Sequence, residues 1–193
     1  MKTFAVASLA AAAAAAMPAA NEARQTTNSD ITNFEILPLR SASDIHFARI
    51  SATKSSLFAK LPEQDASCLA GVDGNQPAAF QINSEDKTLW LYASGNPRQQ
   101  IYVDRSGMGQ GKIGYTTGAQ PAPRNAEREG WAINADGNLQ FDGTDLTACP
   151  NSIDGAWSIW LSGASNPGGN EGCLGFSARA GKVEKPNDCL YTS

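Results

Sequence analysis

The chain has 193 residues, 41% of them hydrophobic and 18% charged, and 19 acidic against 15 basic side chains leave a net charge of −4. That length suits one domain with a sizeable core. Binding nucleic acid needs a basic face to displace counterions, and none is visible, so no nucleic-acid partner is expected.

Met1-Lys2-Thr3 is a short basic start, and residues 4–16 are apolar apart from Ser8. Small residues and Met17-Pro18 follow. This is the pattern of a secretory signal peptide over residues 1–20, with cleavage after Ala16 or Ala20. As a helix the apolar run would span roughly 20 Å, too short for a hydrocarbon core of about 30 Å. No later run approaches membrane-spanning length, so no membrane partner is expected. Losing residues 1–20 removes Lys2 and leaves 173 residues with net charge −5. Residues 21–33 are polar and read as a disordered segment, with a single all-β domain over 34–193.

In chain order, strand signals dominate. Phe34-Glu35-Ile36 opens the domain, and Ile45, Phe47, Ile50, Leu57 and Phe58 mark weaker strands after it. Phe80-Gln81-Ile82-Asn83 leads through a polar turn into Thr88-Leu89-Trp90-Leu91-Tyr92. Gln99-Gln100-Ile101-Tyr102-Val103 follows, then a glycine-rich turn over 104–111, then Lys112-Ile113-Gly114-Tyr115. Trp131-Ala132-Ile133-Asn134 and Leu139-Gln140-Phe141 flank Asp136-Gly137, a strong hairpin signal. Trp157–Leu161 and Cys173–Ser177 complete the series. The three openings, at Phe34, Phe80 and Trp131, start alike, and so long a period of short strands points to a repeated unit. The expected fold is a β-trefoil-like pseudo-three-fold barrel, with a β-sandwich as the alternative.

Cys68, Cys149, Cys173 and Cys189 form an even set in an exported chain and read as two disulfides. No C-x-x-C pair suggests zinc. Of three connectivities, Cys149–Cys173 and Cys68–Cys189 are expected, the first closing a loop in the third unit and the second tying back the tail. No N-glycosylation sequon occurs.

Catalytic motifs are weak. Asp44 and His46, two apart on a supposed strand, would share a face, but no Gly-x-Ser-x-Gly elbow accompanies them. They read as a structural pair. The glycines before Lys112 lack the spacing and following helix of a phosphate loop. Glu127/Glu129 and Asp142/Asp145 fall in turns. No enzyme activity, cofactor or metal is expected. Trp90 and Tyr92 lie opposite Leu89 and Leu91, and Trp160 opposite Ile159 and Leu161; exposed, they could stack on sugars, and covered, they would simply pack.

Ser41-Ala42-Ser43-Asp44-Ile45-His46-Phe47, Thr147-Ala148-Cys149-Pro150, Cys173-Leu174-Gly175-Phe176-Ser177-Ala178 and the terminal Cys189-Leu190-Tyr191-Thr192 resemble fungal secreted proteins of the phialide cell-wall (PhiA-like) family, also met as IgE-binding cell-wall antigens. The resemblance implies a secreted, disulfide-bonded fungal protein of the cell wall or extracellular space, with no catalytic site to carry over. Similar small secreted proteins of plant pathogens act as effectors, and some block papain-like cysteine proteases. The leading expectation is therefore an extracellular effector that inhibits such a host protease. Its binding loops would carry Asn96, Pro97, Arg98, Arg105, Met108, Pro121, Pro123 and Arg124. The alternative is a structural or carbohydrate-binding cell-wall protein whose partner is wall polysaccharide.

Overall fold

The computed structural model describes residues 32–193. The expected signal peptide and nearly all of the expected disordered segment lie outside the described residues, although Asn33 already belongs to the first strand. Fourteen strands follow: β1 (Asn33–Leu39), β2 (Ile50–Thr53), β3 (Ser56–Ala59), β4 (Ala66–Cys68), β5 (Ala79–Asn83), β6 (Thr88–Leu91), β7 (Gln99–Asp104), β8 (Lys112–Thr117), β9 (Trp131–Ile133), β10 (Asn138–Phe141), β11 (Leu146–Cys149), β12 (Trp157–Leu161), β13 (Leu174–Lys182) and β14 (Cys189–Tyr191).

Alternation of apolar and polar residues curls these strands around one core. On β1, Phe34, Ile36 and Pro38 are buried while Glu35 and Leu37 are partly exposed, as a period of two requires. The ring runs β1-β5-β6-β7-β8-β3-β12-β11-β13 and closes where β13 pairs with β1 over six positions, Phe34↔Lys182 to Leu39↔Ser177. Every pairing is antiparallel. A closed antiparallel circuit needs an even number of strands, yet this one has nine. The parity is resolved at a seam, where β8 and β12 also meet directly at Lys112↔Trp160. β3 wedges in beside that contact through Ser56↔Gly114 and two pairs to β12. At the seam Gly111, at φ +88°, lies against the β12 backbone, where an added Cβ would stand 2.6 Å from the Leu161 carbonyl oxygen.

The interior is filled with side chains. Phe34 stacks on Phe80 with centroids 5.9 Å apart, and Trp131 meets Phe141 edge-on at 5.0 Å. Beyond the ring, β2 extends from β3, and the β9–β10 hairpin hangs from β13. Among the described residues, β14 pairs only with β4. Cys68–Cys189 joins those two strands, and Cys149–Cys173 joins the end of β11 to the start of β13. Both are the expected pairs.

β14 is fastened to the ring by side chains. Gln99, 1% exposed, accepts the Tyr191 N–H through Oε1 at 2.9 Å and donates through Nε2 to the Tyr191 carbonyl at 2.7 Å and Thr117 Oγ1 at 2.8 Å. The Tyr115 hydroxyl donates to the Thr192 carbonyl. Burial pushes the Tyr191 phenol up to about 12.

The trefoil expectation does not describe this topology. Its three openings occupy unlike places: β1 forms no hairpin with the strand after it, β5–β6 lies within the ring, and β9–β10 lies outside it. Nor is it a two-sheet sandwich, because the ring closes. The likeness is local. Asn83 Oδ1 accepts the Glu85 N–H at 3.0 Å, and Asn134 Oδ1 accepts the Asp136 N–H at the same distance, so both hairpins turn on the same side-chain bond.

Candidate functional site

Outward positions of four adjacent ring strands form a row in register: Gln81, Trp90, Gln100 and Thr116. Trp90 stands out from the wall because its neighbours Leu89 and Leu91 fill the core. Its indole N–H donates to Thr88 Oγ1 at 3.1 Å, so the ring needs no further donor contact. The Arg98 guanidinium lies 5.2 Å from the indole centroid, held by a 2.6 Å bond from Nη2 to Gln81 Oε1. That contact is a cation–π pair. Open depressions flank the indole. One, of about 620 Å³, is bordered by Gln81, Asn83, Glu85 and Arg98. The other, of about 600 Å³, is bordered by Glu85, Asp86, Lys87, Gln100 and Glu129.

Glu129 reaches Trp90 from far along the chain. β6 and β7 pair at only two positions and then splay. Residues 127–129 fill the gap, through bridges Val103↔Glu127 and Thr88↔Glu129, and the Gly130 and Trp131 N–H groups both donate to the Lys87 carbonyl. Arg128 adds a 2.9 Å bond from Nη2 to Thr116 Oγ1. Arg105 clamps the same segment. It pairs with both oxygens of Glu127, contacts Asp142 at 2.9 Å, and lies 5.0 Å from the Phe141 centroid. Hydrogen bonding to Arg105 holds the Glu127 carboxyl below its ordinary range and pushes the guanidinium further up.

Trp160 repeats the arrangement, its indole N–H donating to Ser158 Oγ at 2.9 Å. It is less available, because Gly168 packs so closely that a Cβ there would lie 2.8 Å from Trp160 Cη2. The shared pattern Thr88-Leu89-Trp90-Leu91 and Ser158-Ile159-Trp160-Leu161 was the one sequence signal of these built tryptophans. Nothing nearby in sequence announces Gln81, Gln100 or Glu129 as neighbours of Trp90.

The loop residues expected to bind a partner divide between the two ends of the β7–β8 hairpin, six at one end and two at the other. Exposed Asn96 and Pro97, joined by a cis peptide, and partly buried Arg98 lie at one end of the β7–β8 hairpin. The loop with exposed Pro121, Pro123 and Arg124 begins there too, since the Gly118 N–H donates to the Arg98 carbonyl at 2.7 Å. Arg105 and Met108, the latter 94% exposed, lie at the other end, about 17 Å along β7. Arg98 and Arg105 also spend their charges on Trp90 and on Glu127 and Asp142.

The Asp44–His46 stretch is a turn and not the alternating strand expected. His46 Nδ1 accepts the Arg40 N–H at 3.1 Å, and Ser43 Oγ donates to the Arg40 carbonyl at 2.7 Å. Both groups thus serve the turn backbone, and the ring of His46 meets that of Phe47 at a tilt of 37°, centroids 4.0 Å apart. Among the described residues, no group of three or more His, Cys, Asp or Glu could hold a metal ion, and no helix is long and apolar enough to cross a membrane.

Residues 34–192 match the family described as PhiA-like secreted protein. The chain belongs to that family. It is 53% identical to "Cell wall protein phiA" of Aspergillus fumigatus over 183 residues, covering 94% of this chain and 95% of the relative. The Aspergillus niger protein of the same name is 52% identical over 185 residues, 95% of each chain. That of Arthroderma benhamiae is 42% identical over 149 residues, 75% of this chain and 80% of the relative. No solved structure shows a significant match. As a PhiA-like protein it is secreted and associated with the cell wall.

Proposed function

We propose that this protein is a non-catalytic structural component of the fungal cell wall, held there by polysaccharide lying against the barrel wall around Trp90. The observation that carries the reading is the partly exposed indole of Trp90 set among hydrogen-bonding side chains, on a barrel whose two disulfides suit an extracellular setting. A flat aromatic face beside amide groups suits a sugar ring, which pairs apolar C–H faces with equatorial hydroxyls. Kinship with proteins named for the cell wall supports the setting. The barrel holds its site on paired strands, so little order has to be gained on binding.

The protease-inhibitor expectation finds no such support. Its candidate residues divide between the two ends of the β7–β8 hairpin, and two of its three arginines, Arg98 and Arg105, already have internal partners. Co-sedimentation of the purified protein with insoluble fungal wall, compared with the Trp90→Ala variant, tests the reading. Retention of the parent protein and loss of the variant is expected. Equal sedimentation of both would remove Trp90 from the contact, and no sedimentation of either would overturn wall attachment.

A further inference from the structure

On the side of Trp90 away from Arg98, three carboxylates, Glu85, Asp86 and Glu129, face one cation, Lys87. The other depression shares Glu85 but sets against it Arg98, which is fixed on Gln81. The groove is therefore electrostatically polarised across a single indole. A neutral glucan would gain nothing from three carboxylates beside its stacking platform and would have to coexist with their hydration. A sugar carrying an ammonium group gains twice, from the carboxylates and from a cation–π contact with the indole. We infer that the Trp90 groove takes a glycan with free amino groups, a glucosamine polymer such as deacetylated chitin, in preference to neutral polysaccharide.

This rests on the polysaccharide-binding reading above and narrows its ligand. The arrangement is more than a patch of acids. Glu129 is delivered to Thr88 by the strand segment wedged between β6 and β7, and Asp86 is tied by a 2.8 Å bond from Asn83 Nδ2 in the β5–β6 turn. The carboxylates thus hang from backbone that the ring itself holds beside the indole.

The test is calorimetric titration of the full mature protein, at mildly acidic pH, with hexamers of glucosamine, N-acetylglucosamine and β-1,3-linked glucose. The glucosamine hexamer is expected to bind tightest, with affinity falling as salt rises. Trp90→Ala keeps the net charge and should weaken binding about tenfold. Asp86→Asn and Glu129→Gln should each weaken it about threefold, whereas Lys87→Gln should tighten it about twofold. Circular dichroism checks the fold of each variant, and Trp160→Ala should leave the affinity unchanged. Equal or tighter binding of a neutral hexamer would overturn the amino-sugar assignment and leave polysaccharide binding standing. Binding of glucosamine that survives Trp90→Ala undiminished would reduce it to general attraction to an acidic protein and overturn the site. If no hexamer binds while the protein still sediments with wall, the groove assignment falls and wall association does not.

Discussion

Gln99→Leu should destabilise the protein by about 2–5 kcal/mol, although it replaces one buried side chain with another of similar size. The Gln99 amide stands where a neighbouring strand would be, taking both the N–H and the C=O of Tyr191, with a third bond to Thr117 Oγ1. Gln99 is 1% exposed and Tyr191 2% exposed, so water cannot replace what the amide supplies. Each buried backbone group left without a partner costs about 1–3 kcal/mol, and two are left here, offset in part by the apolar surface leucine buries. For a chain of this size 1 kcal/mol corresponds to about 2–4 °C in Tm, so thermal unfolding followed by circular dichroism should shift down by roughly 4–20 °C. Gln99→Glu should be worse: a carboxylate accepts the Tyr191 N–H but cannot donate to its carbonyl, and it carries charge into the core. The effect should shrink where Cys68 and Cys189 are both serine, because a β14 already freed from β4 has less to lose when the amide is removed. A shift below about 2 °C, or full additivity with loss of the disulfide, would refute the view that Gln99 serves as the missing strand for β14.

The two disulfides should differ in worth. They close 121 and 24 residues, so loop-closure entropy predicts that removing Cys68–Cys189 costs about 4.9 kcal/mol and removing Cys149–Cys173 about 3.4 kcal/mol, read from denaturant midpoints. Gly114→Ala should cost about 1–3 kcal/mol, because its Cβ would lie 2.5 Å from Tyr102 Oη and 2.9 Å from the Ser55 carbonyl oxygen, and both are packed against the sheet. Arg105→Gln should return the Glu127 carboxyl to its ordinary range in an NMR titration. Because the folded pKa of Glu127 is depressed, the pair's stabilisation is present above the unfolded carboxylate value and is lost as pH falls through the folded one. Both side chains are about 40% exposed, so that contribution amounts to a few tenths of a kcal/mol, and the Glu127→Gln variant should lose a correspondingly small part of its acid sensitivity.

What could be read in advance and what could not divide along the distance between interacting residues. A period of two marks which side chains face inward. It placed Leu89 and Leu91 opposite Trp90, and Ile159 and Leu161 opposite Trp160, as the structure has them. The Asn-initiated turns after Ile82 and Ile133 are also legible, because each closes on a bond two residues long. Yet the same local likeness suggested a three-fold repeat that the topology lacks, since two hairpins built alike can be inserted into a ring or hung from its edge according to which strand pairs with them. β13 decides that: it pairs with β1, β10 and β11, and only its nine-residue length, unmarked in the sequence by a turn, lets it serve all three. The candidate site depends on such long-range pairing even more. Trp90 was a conspicuous aromatic on an outward face, but its meaning comes from Gln81, Gln100 and Glu129. Glu129 reaches it only because β6 and β7 splay after two pairs and leave a gap one strand wide. Alternation says which way a side chain points; what it points at is set by strand order, and in a ring closed by the meeting of β1 and β13, strand order is a property of the whole chain.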